Sequence, residues 1–191
     1  MKFPEPGKVK TRIARDTGPD RAVEVYRQIA AKVIGNTLPS DNEYERIIFY
    51  WPGTAGDQFR TWLPGEKLLP QRGADIGERM ALAIRDMLCE GASKAVIAGV
   101  DIPELHREIV RDAFSKLDKA DVVIGPALDG GYYLIGMKAL HERIFQGISW
   151  STDKVLGQTI LAVEALNVKW DAVATLSDVD TLEDLLKFDK I

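Results

Sequence analysis

Lys94-Ala95-Val96-Ile97-Ala98-Gly99-Val100-Asp101-Ile102-Pro103 is the stretch on which the fold turns. Its unbroken apolar run reads as a buried strand, and it ends on a carboxylate followed closely by a proline. Upstream, Asp75 to Glu90 carries Met80, Ala83, Ile84, Met87 and Leu88 at helical spacing and closes at Gly91; downstream, a helix is expected from about Glu104 to Leu117. The same alternation recurs further out. A helix opens at Gly18-Pro19-Asp20, repeats Ala22, Tyr26, Ile29, Ala30 and Val33, and stops at Gly35-Asn36. Arg46 to Trp51 is another apolar strand, bounded by Pro52-Gly53. Asp121 to Gly125 and Tyr132 to Met137 are strands joined through Leu128-Asp129-Gly130-Gly131, Thr152 to Leu166 is helical, Val168 to Leu176 is a strand, and Thr181 caps a final short helix. Strands alternating with helices predict an α/β fold: a three-layer α/β/α sandwich around a mostly parallel mixed sheet, in which the Asp-Gly-Gly turn admits one antiparallel pair.

A length of 191 residues suits one domain, expected to span residues 1–191. Hydrophobic residues make up 46% and charged residues 28%, enough for a sizeable core and against disorder. The apolar runs are too short to span a bilayer and no secretory leader is visible, so a cytoplasmic protein without a membrane span is expected. A single cysteine, Cys89, excludes an internal disulfide, and two histidines without nearby cysteines argue against zinc. The net charge of −4 argues against nucleic-acid binding. Yet Lys2, Lys8, Lys10, Arg12 and Arg15 face only Glu5 within the first fifteen residues, which points to a local anion site.

Five segments could carry chemistry. Pro4-Glu5-Pro6-Gly7-Lys8-Val9-Lys10-Thr11-Arg12 reads as a loop whose backbone N–H groups and cations suit a diphosphate, or else as a solvated basic terminus; it lacks the spacing of a Walker loop. Asp101, just past a strand, could hold Mg²⁺ or Mn²⁺ together with substrate phosphates, or could cap the next helix. Leu128-Asp129-Gly130-Gly131 is a turn whose glycines also permit close approach of a ligand. Gln71-Arg72-Gly73-Ala74-Asp75 could cradle a base or sugar, or simply lead into a helix capped by Asp75. In Asp178-Val179-Asp180-Thr181-Leu182-Glu183-Asp184, Thr181 and Asp184 resemble a capping box, while Asp178 or Asp180 could reach a metal as a second carboxylate. Cys89, His106 and His141 stand singly on helices and read as structural or solvated.

Six ordered motifs then carry a resemblance: Pro-x-Pro-Gly-Lys-Val-Lys-Thr-Arg, Gln-x-Gly-x-x-x-Gly-Glu-Arg-Met, Gly-x-Asp-x-Pro, Gly-Pro-Ala-x-Asp-Gly-Gly-Tyr-Tyr-Leu-Ile-Gly, Trp-Ser-Thr and Asp-Val-Asp-Thr-x-Glu-Asp. Over almost its whole length the chain resembles the bacterial and archaeal family called domain of unknown function 2064, GT-A-like glycosyltransferases also known as radical-SAM/selenodomain-associated transferases. The motif grammar is also similar to that of small nucleotidyltransferases making 2-phospholactate-guanylate or molybdopterin dinucleotides. The resemblance implies a nucleotide-diphospho-sugar transferase fold and a metal-dependent glycosyltransferase using a nucleotide-activated sugar. Its alternatives are a nucleotidyltransferase passing a nucleotidyl group to a phosphorylated small molecule, and a nucleotide-binding module without catalysis. It implies that Lys8, Lys10 and Arg12, with Gly7, hold phosphates. Gln71 and Gly73 would line the nucleoside, Asp129, Gly130 and Gly131 would border the sugar or acceptor, and Trp150 and Thr152 would join the substrate-binding set. Asp101 and Asp180 would bind Mg²⁺ or Mn²⁺, and Asp129 is the candidate base.

Two departures stand out. Asp101-Ile102-Pro103 replaces the Asp-x-Asp common in GT-A enzymes and leans toward the nucleotidyltransferase pattern. Only Met1-Lys2-Phe3 precede the basic loop where the family has a full hydrophobic strand, so the first strand is expected to be short or missing. Met1 is accordingly expected to be internal to a longer reading frame, or the chain truncated.

Overall fold

The computed structural model describes residues 1–188, and in it the chain runs α1 (Thr11–Thr17), α2 (Pro19–Asn36), β1 (Ile48–Tyr50), α3 (Gly56–Trp62), β2 (Leu68–Pro70), α4 (Ile76–Cys89), β3 (Ala95–Ala98), α5 (Arg107–Lys116), β4 (Val122–Pro126), β5 (Tyr132–Met137), α6 (Val155–Ala165), β6 (Trp170–Ala172) and α7 (Leu182–Phe188). Single 3₁₀ turns occupy Gly53–Ala55 and Glu142–Phe145. The fold class is mixed α/β, as the alternation of runs requires. No helix among the described residues is long and apolar enough to cross a membrane.

The described residues form two compact units. The first gathers Met1–Gln71, Val100–His106 and the stretch from Asp178 onward; the second gathers Arg72–Gly99 and Arg107–Ser177.

In the first unit, β1 and β2 pair in parallel, with Ile48 opposite Leu68 and Tyr50 opposite Pro70. The N-terminal segment adds to the other side of β1. Lys2 bridges Trp51 in parallel, through Phe3 N–H to Trp51 carbonyl (2.8 Å) and Trp51 N–H to Met1 carbonyl (2.8 Å). The N-terminal segment therefore pairs through an isolated bridge at Lys2 and forms no full strand. Tyr26 on α2 secures it: its hydroxyl donates to the Lys2 carbonyl (3.0 Å) and accepts from the Lys2 N–H (3.1 Å). This answers the need of a buried phenol for partners at its polar tip. Phe3, Phe59 and Trp62 pack edge-on or tilted at centroid separations of 5.4–6.2 Å. Pro19 begins α2 at a position where its missing N–H costs nothing, and Ala22, Val25, Tyr26, Ile29, Ala30 and Val33 form its buried stripe.

In the second unit, four strands lie in the order β3-β5-β4-β6. β4 pairs with β6 in parallel, whereas β5 is antiparallel to both β3 and β4. The Asp-Gly-Gly turn thus supplies one antiparallel strand that makes two antiparallel pairings. β4 and β5 are buried almost throughout and carry the core with Ile84, Ala95, Ile144, Phe145 and Val163.

Several expectations need correction. β3 is not a buried strand: only Ala95 is buried, Ala98 is exposed, and the strand lies at an edge of its sheet. An apolar run cannot by itself tell an edge strand from a central one. Helix α1 begins at Thr11, so Arg12 lies in a helix rather than a loop. The strand expected over Val168 to Leu176 shortens to β6, and α6 starts at Val155, three residues after Thr152. His106 lies in the loop before α5 and His141 caps a 3₁₀ turn, so neither is on an α-helix; Cys89 is exposed. Helices α1 and α3 and strand β2 had no counterpart in the sequence reading.

Candidate functional site

The first unit concentrates the chemistry on one residue. Glu5-Pro6-Gly7-Lys8 closes a turn through the Lys8 N–H and Glu5 carbonyl (3.0 Å), with Pro6 and Gly7 at its centre and Gly7 at φ 77. Pro-Gly in those positions suits a type II turn, whose third residue needs positive φ. Two residues on, Lys10 adopts the left-handed conformation (φ 44, ψ 49) as the N-cap of α1, and its carbonyl accepts the first helical bond from Ala14 (2.9 Å). A lysine in that region carries backbone strain of about 1–2 kcal/mol, held by its surroundings.

The strain aims the Lys10 side chain inward, where it is only 3% exposed. Its Nζ lies 2.5 Å from Asp101 Oδ1 and 3.0 Å from Asp180 Oδ1. Burial alone would lower the pKa of this ammonium; the two carboxylates, as charges and as hydrogen-bond acceptors, outweigh burial and hold it above its ordinary value. The carboxylates themselves are 48% and 40% exposed, so their outer oxygens face solvent. Arg12 Nη1 approaches Asp180 at 3.8 Å from the rim, and Lys8 reaches out to Glu5 at 2.6 Å. Both cations are largely exposed.

Each aspartate is positioned by its own loop. The Asp101 carbonyl accepts from Val179 N–H (3.2 Å), which ties the segment around Asp101 to the one holding Asp180. The Asp184 carboxylate accepts from Asp180 N–H (3.3 Å), Thr181 N–H (2.9 Å) and Thr181 hydroxyl (2.6 Å), while Thr181 Oγ1 caps Asp184 N–H (3.2 Å). The capping box expected at Thr181 is therefore present. Burial pushes the Asp184 carboxyl up, but these three donors overcome it and leave its pKa below the ordinary carboxylate value. Tyr26 belongs to the same neighbourhood: burial first, then the negative charge of Asp101, push its phenol upward. The sequence reading missed Tyr26 and the positioning work of Asp184. The signal for Tyr26 was a tyrosine inside an otherwise aliphatic helical stripe.

Gln71 also lies in the first unit, where its N–H pairs with Tyr50 carbonyl (2.8 Å) and its Nε2 donates to Phe49 carbonyl (3.1 Å). Its side-chain amide braces β1 through one N–H and keeps its oxygen and its second N–H for other partners.

The second unit holds the remaining candidates. Gly73 sits at φ 124, and a Cβ there would lie 2.9 Å from Arg79 N, so the residue lets the chain fold tightly onto α4. Asp75 caps α4 by accepting from Glu78 N–H (2.8 Å), as expected. Asp129 Oδ1 accepts from Gly131 N–H (2.8 Å), closing the turn, and Oδ2 remains as its other acceptor. Gly130 (φ 87) is pressed against the chain before α6: a Cβ would stand 2.3 Å from Asp153 carbonyl. Its own carbonyl accepts from Leu156 N–H (2.9 Å). Trp150 lies edge-on to Tyr132 at 6.4 Å and covers Gly77 so closely that a Cβ there would meet the indole at 2.5 Å. The second glycine of the Gln-x-Gly-x-x-x-Gly motif thus makes room for the tryptophan of the Trp-Ser-Thr motif. Thr152 bonds Ser149 carbonyl (2.7 Å) within its own turn.

Sequence reasoning grouped Lys8, Lys10 and Arg12 as equals. The structure separates a buried Lys10, shared by Asp101 and Asp180, from two exposed cations. Two carboxylates that converge on one positive charge are oxygen donors of the kind that could hold a hard divalent cation. Among the described residues no cluster of three or more His, Cys, Asp or Glu assembles. The protein would therefore contribute two oxygens and leave the others to water and phosphate, the usual manner of Mg²⁺.

Residues 35–152 match the family described as uncharacterized protein conserved in bacteria, domain of unknown function 2064. The crystal structure of a candidate nucleotide-diphospho-sugar transferase from Desulfovibrio desulfuricans G20 is 35% identical, covers 97% of this chain and 81% of its own, and superposes with a TM-score of 0.91. The 4-diphosphocytidyl-2C-methyl-D-erythritol synthase of Anaerococcus prevotii is 11% identical, with 97% and 93% covered and a TM-score of 0.60. CMP:2-keto-3-deoxy-manno-octonic acid synthetase, crystallised with CTP, is 11% identical, with 85% and 86% covered and a TM-score of 0.58. At such low identity the last two speak for the fold alone, which is that of the nucleotide-diphospho-sugar transferases. No curated protein matches the chain.

Proposed function

The chain belongs to the family domain of unknown function 2064, and from that premise we propose that it is a transferase acting on a nucleotide-activated small molecule, with a nucleoside diphosphate sugar as donor. The observation that carries the reading is the cation position between Asp101 and Asp180, occupied by a buried Lys10 and approached from the rim by Arg12. Diphosphate chemistry calls for such a place. Negative charge builds on the phosphate oxygens as the leaving group departs, and fixed positive charge in a poorly solvated position stabilises it. Lys10 would stand beneath the diphosphate, while Lys8 and Arg12 would meet it from the solvent side. Mg²⁺ or Mn²⁺ would be held by Asp101 and Asp180 and would supply further charge neutralisation on the diphosphate oxygens.

In sugar transfer the C1–O bond of the donor breaks, an acceptor hydroxyl oxygen bonds to C1, and the nucleoside diphosphate leaves. If the reaction inverts the sugar, the acceptor's proton goes to a carboxylate base, the role proposed for Asp129. Its Oδ2 is the oxygen for that task, since Oδ1 is spent on Gly131. Gly130 and Gly131 would border the sugar or acceptor, Gln71 and Gly73 the nucleoside, and Trp150 and Thr152 would act through the shape of their turn.

A second reading, nucleotidyl transfer, is favoured by one feature: Asp101-Ile102-Pro103 lacks the second aspartate of Asp-x-Asp, and the partner of Asp101 comes instead from Asp180. There a phosphate oxygen of the acceptor bonds to the α-phosphorus, the bond from that phosphorus to its bridging oxygen breaks, and pyrophosphate leaves. Phosphorus NMR of reactions with nucleotide sugars or nucleoside triphosphates plus Mn²⁺ separates the two, using a panel of phosphorylated and hydroxylated acceptors. Nucleoside diphosphate released from a sugar donor supports glycosyl transfer. Pyrophosphate released from a triphosphate overturns it in favour of nucleotidyl transfer, and no turnover across both panels contradicts the transferase reading.

A further inference from the structure

We propose that the Lys10 ammonium and a divalent cation are alternative occupants of the Asp101–Asp180 pair, so that metal and diphosphate bind here as coupled ligands rather than independently. The inference rests on the preceding reading that this pair takes a metal. Lys10 Nζ already lies 2.5 and 3.0 Å from the two Oδ1 atoms, so a cation that bridges the two carboxylates through these oxygens would meet it there. A metal ion approaching them to about 2.0–2.2 Å would stand against the ammonium, two positive charges in one place. Lys10 must then leave the pair.

Its freedom to leave is limited. The backbone is pinned at φ 44 by the N-cap role, and the side chain is 3% exposed, so it moves within the site rather than out into water. A displaced ammonium at that depth needs a new anion, since an unpaired buried charge is costly. A diphosphate oxygen supplies one. Metal alone therefore bears the displacement of Lys10, whereas metal arriving with diphosphate does not. By linkage, each ligand raises the affinity of the other by the same factor. Arg12, 3.8 Å from Asp180 and mostly exposed, stays at the rim throughout and does not share this constraint.

The test is Mn²⁺ binding without nucleotide, read from the electron paramagnetic resonance of free Mn²⁺, in the wild type, Lys10→Met and Lys10→Gln. It is paired with calorimetric titration of the Mn²⁺–pyrophosphate complex into the same proteins. Removing the resident ammonium should tighten binding of Mn²⁺ alone by about tenfold or more. The same variants should bind Mn²⁺–pyrophosphate no more tightly than the wild type, because the group that received the phosphate is gone. If the wild type takes up Mn²⁺–pyrophosphate but neither variant gains affinity for Mn²⁺ alone, the exclusion between lysine and metal is refuted while the proposed function stands. If no protein takes up Mn²⁺ in either form, both fall. Two substitutions of different polarity, each checked by thermal melting, guard against misfolding of one.

Discussion

Removing the two carboxylates around Lys10 should destabilise the protein far more than removing Lys10 itself. The exposures are unequal: the lysine side chain is 3% accessible, against 48% for Asp101 and 40% for Asp180. In Lys10→Met the two aspartates remain as half-solvated neighbours whose repulsion is screened, and the methionine fills the buried channel at the same strained φ. Because the charges left behind are half-solvated, no uncompensated buried charge remains, so a loss within about 1 kcal/mol is expected. In the double variant Asp101→Asn/Asp180→Asn the ammonium stays buried and faces only neutral acceptors. An uncompensated buried charge costs ~3–5 kcal/mol; the lower end, about 3 kcal/mol, applies because water reaches the outer faces of both side chains. Urea unfolding reads both, as shifts of the midpoint at constant slope. With a slope of about 2–3 kcal/mol/M the double variant should lose roughly 1 M or more in midpoint and Lys10→Met only a few tenths. A Lys10→Met loss equal to or larger than that of the double variant would refute the claim that the carboxylates serve the lysine.

The raised pKa of Lys10 fixes the sign of an alkaline effect. A lysine that holds its proton more tightly when folded contributes fully below its ordinary value of 10.5 and loses that contribution as pH rises through the folded pKa. Tyr26 acts in the same direction, because the unfolded phenol ionises near 10 while the folded one does not. The urea midpoint should fall above about pH 10, and less steeply in Lys10→Met/Tyr26→Phe; an unchanged pH profile would contradict the burial of these groups. Gly77→Ala should cost about 1–3 kcal/mol by driving a methyl into Trp150, and Trp150→Leu should recover part of it in a double-mutant cycle. Additive losses would mean that the two residues do not touch. Lys8→Ala and Arg12→Ala should each weaken diphosphate binding by up to ~1.5–3 kcal/mol while leaving nucleoside binding unchanged. Calorimetry showing equal losses for nucleosides would mean a disturbed loop instead of lost phosphate contacts.

The sequence revealed most of the architecture because its periodic segments are long. Helix α2, with six buried residues in one stripe, helix α4, capped by Asp75, and strand β5 all stand where their patterns put them. Strand β2 escaped because its three residues end in Pro70 and carry no alternation, and α3 because Phe59 is the only large apolar side chain it buries. Helix α1 was hidden by the prolines and glycine just ahead of it; its signal, the buried Ile13 within a run of polar residues, is a single position. The candidate site was legible as residue types and not as an arrangement. Nothing in the spacing distinguishes Lys8 from Lys10, and only the left-handed backbone at Lys10 turns one inward and leaves the other in solvent. Asp178 and Asp180 were likewise equivalent in sequence. The choice of Asp180 as the partner of Asp101 comes from a capping box at Thr181 and a backbone bond from Val179, contacts between segments some eighty residues apart.

The most direct measurement is a thermal-shift series with nucleosides, nucleoside mono-, di- and triphosphates and nucleotide sugars, with and without Mn²⁺, on the wild type and on Asp101→Asn/Asp180→Asn. A ligand at 100 times its dissociation constant adds about 2.7 kcal/mol of apparent stability. At roughly 2–4 °C per kcal/mol for a chain of this size, that corresponds to a rise of about 5–10 °C in Tm. The account predicts such a rise for diphosphates and nucleotide sugars with Mn²⁺, little for nucleosides, and its disappearance in the double variant. A rise that ignores phosphate number, or that persists undiminished without Asp101 and Asp180, would contradict it.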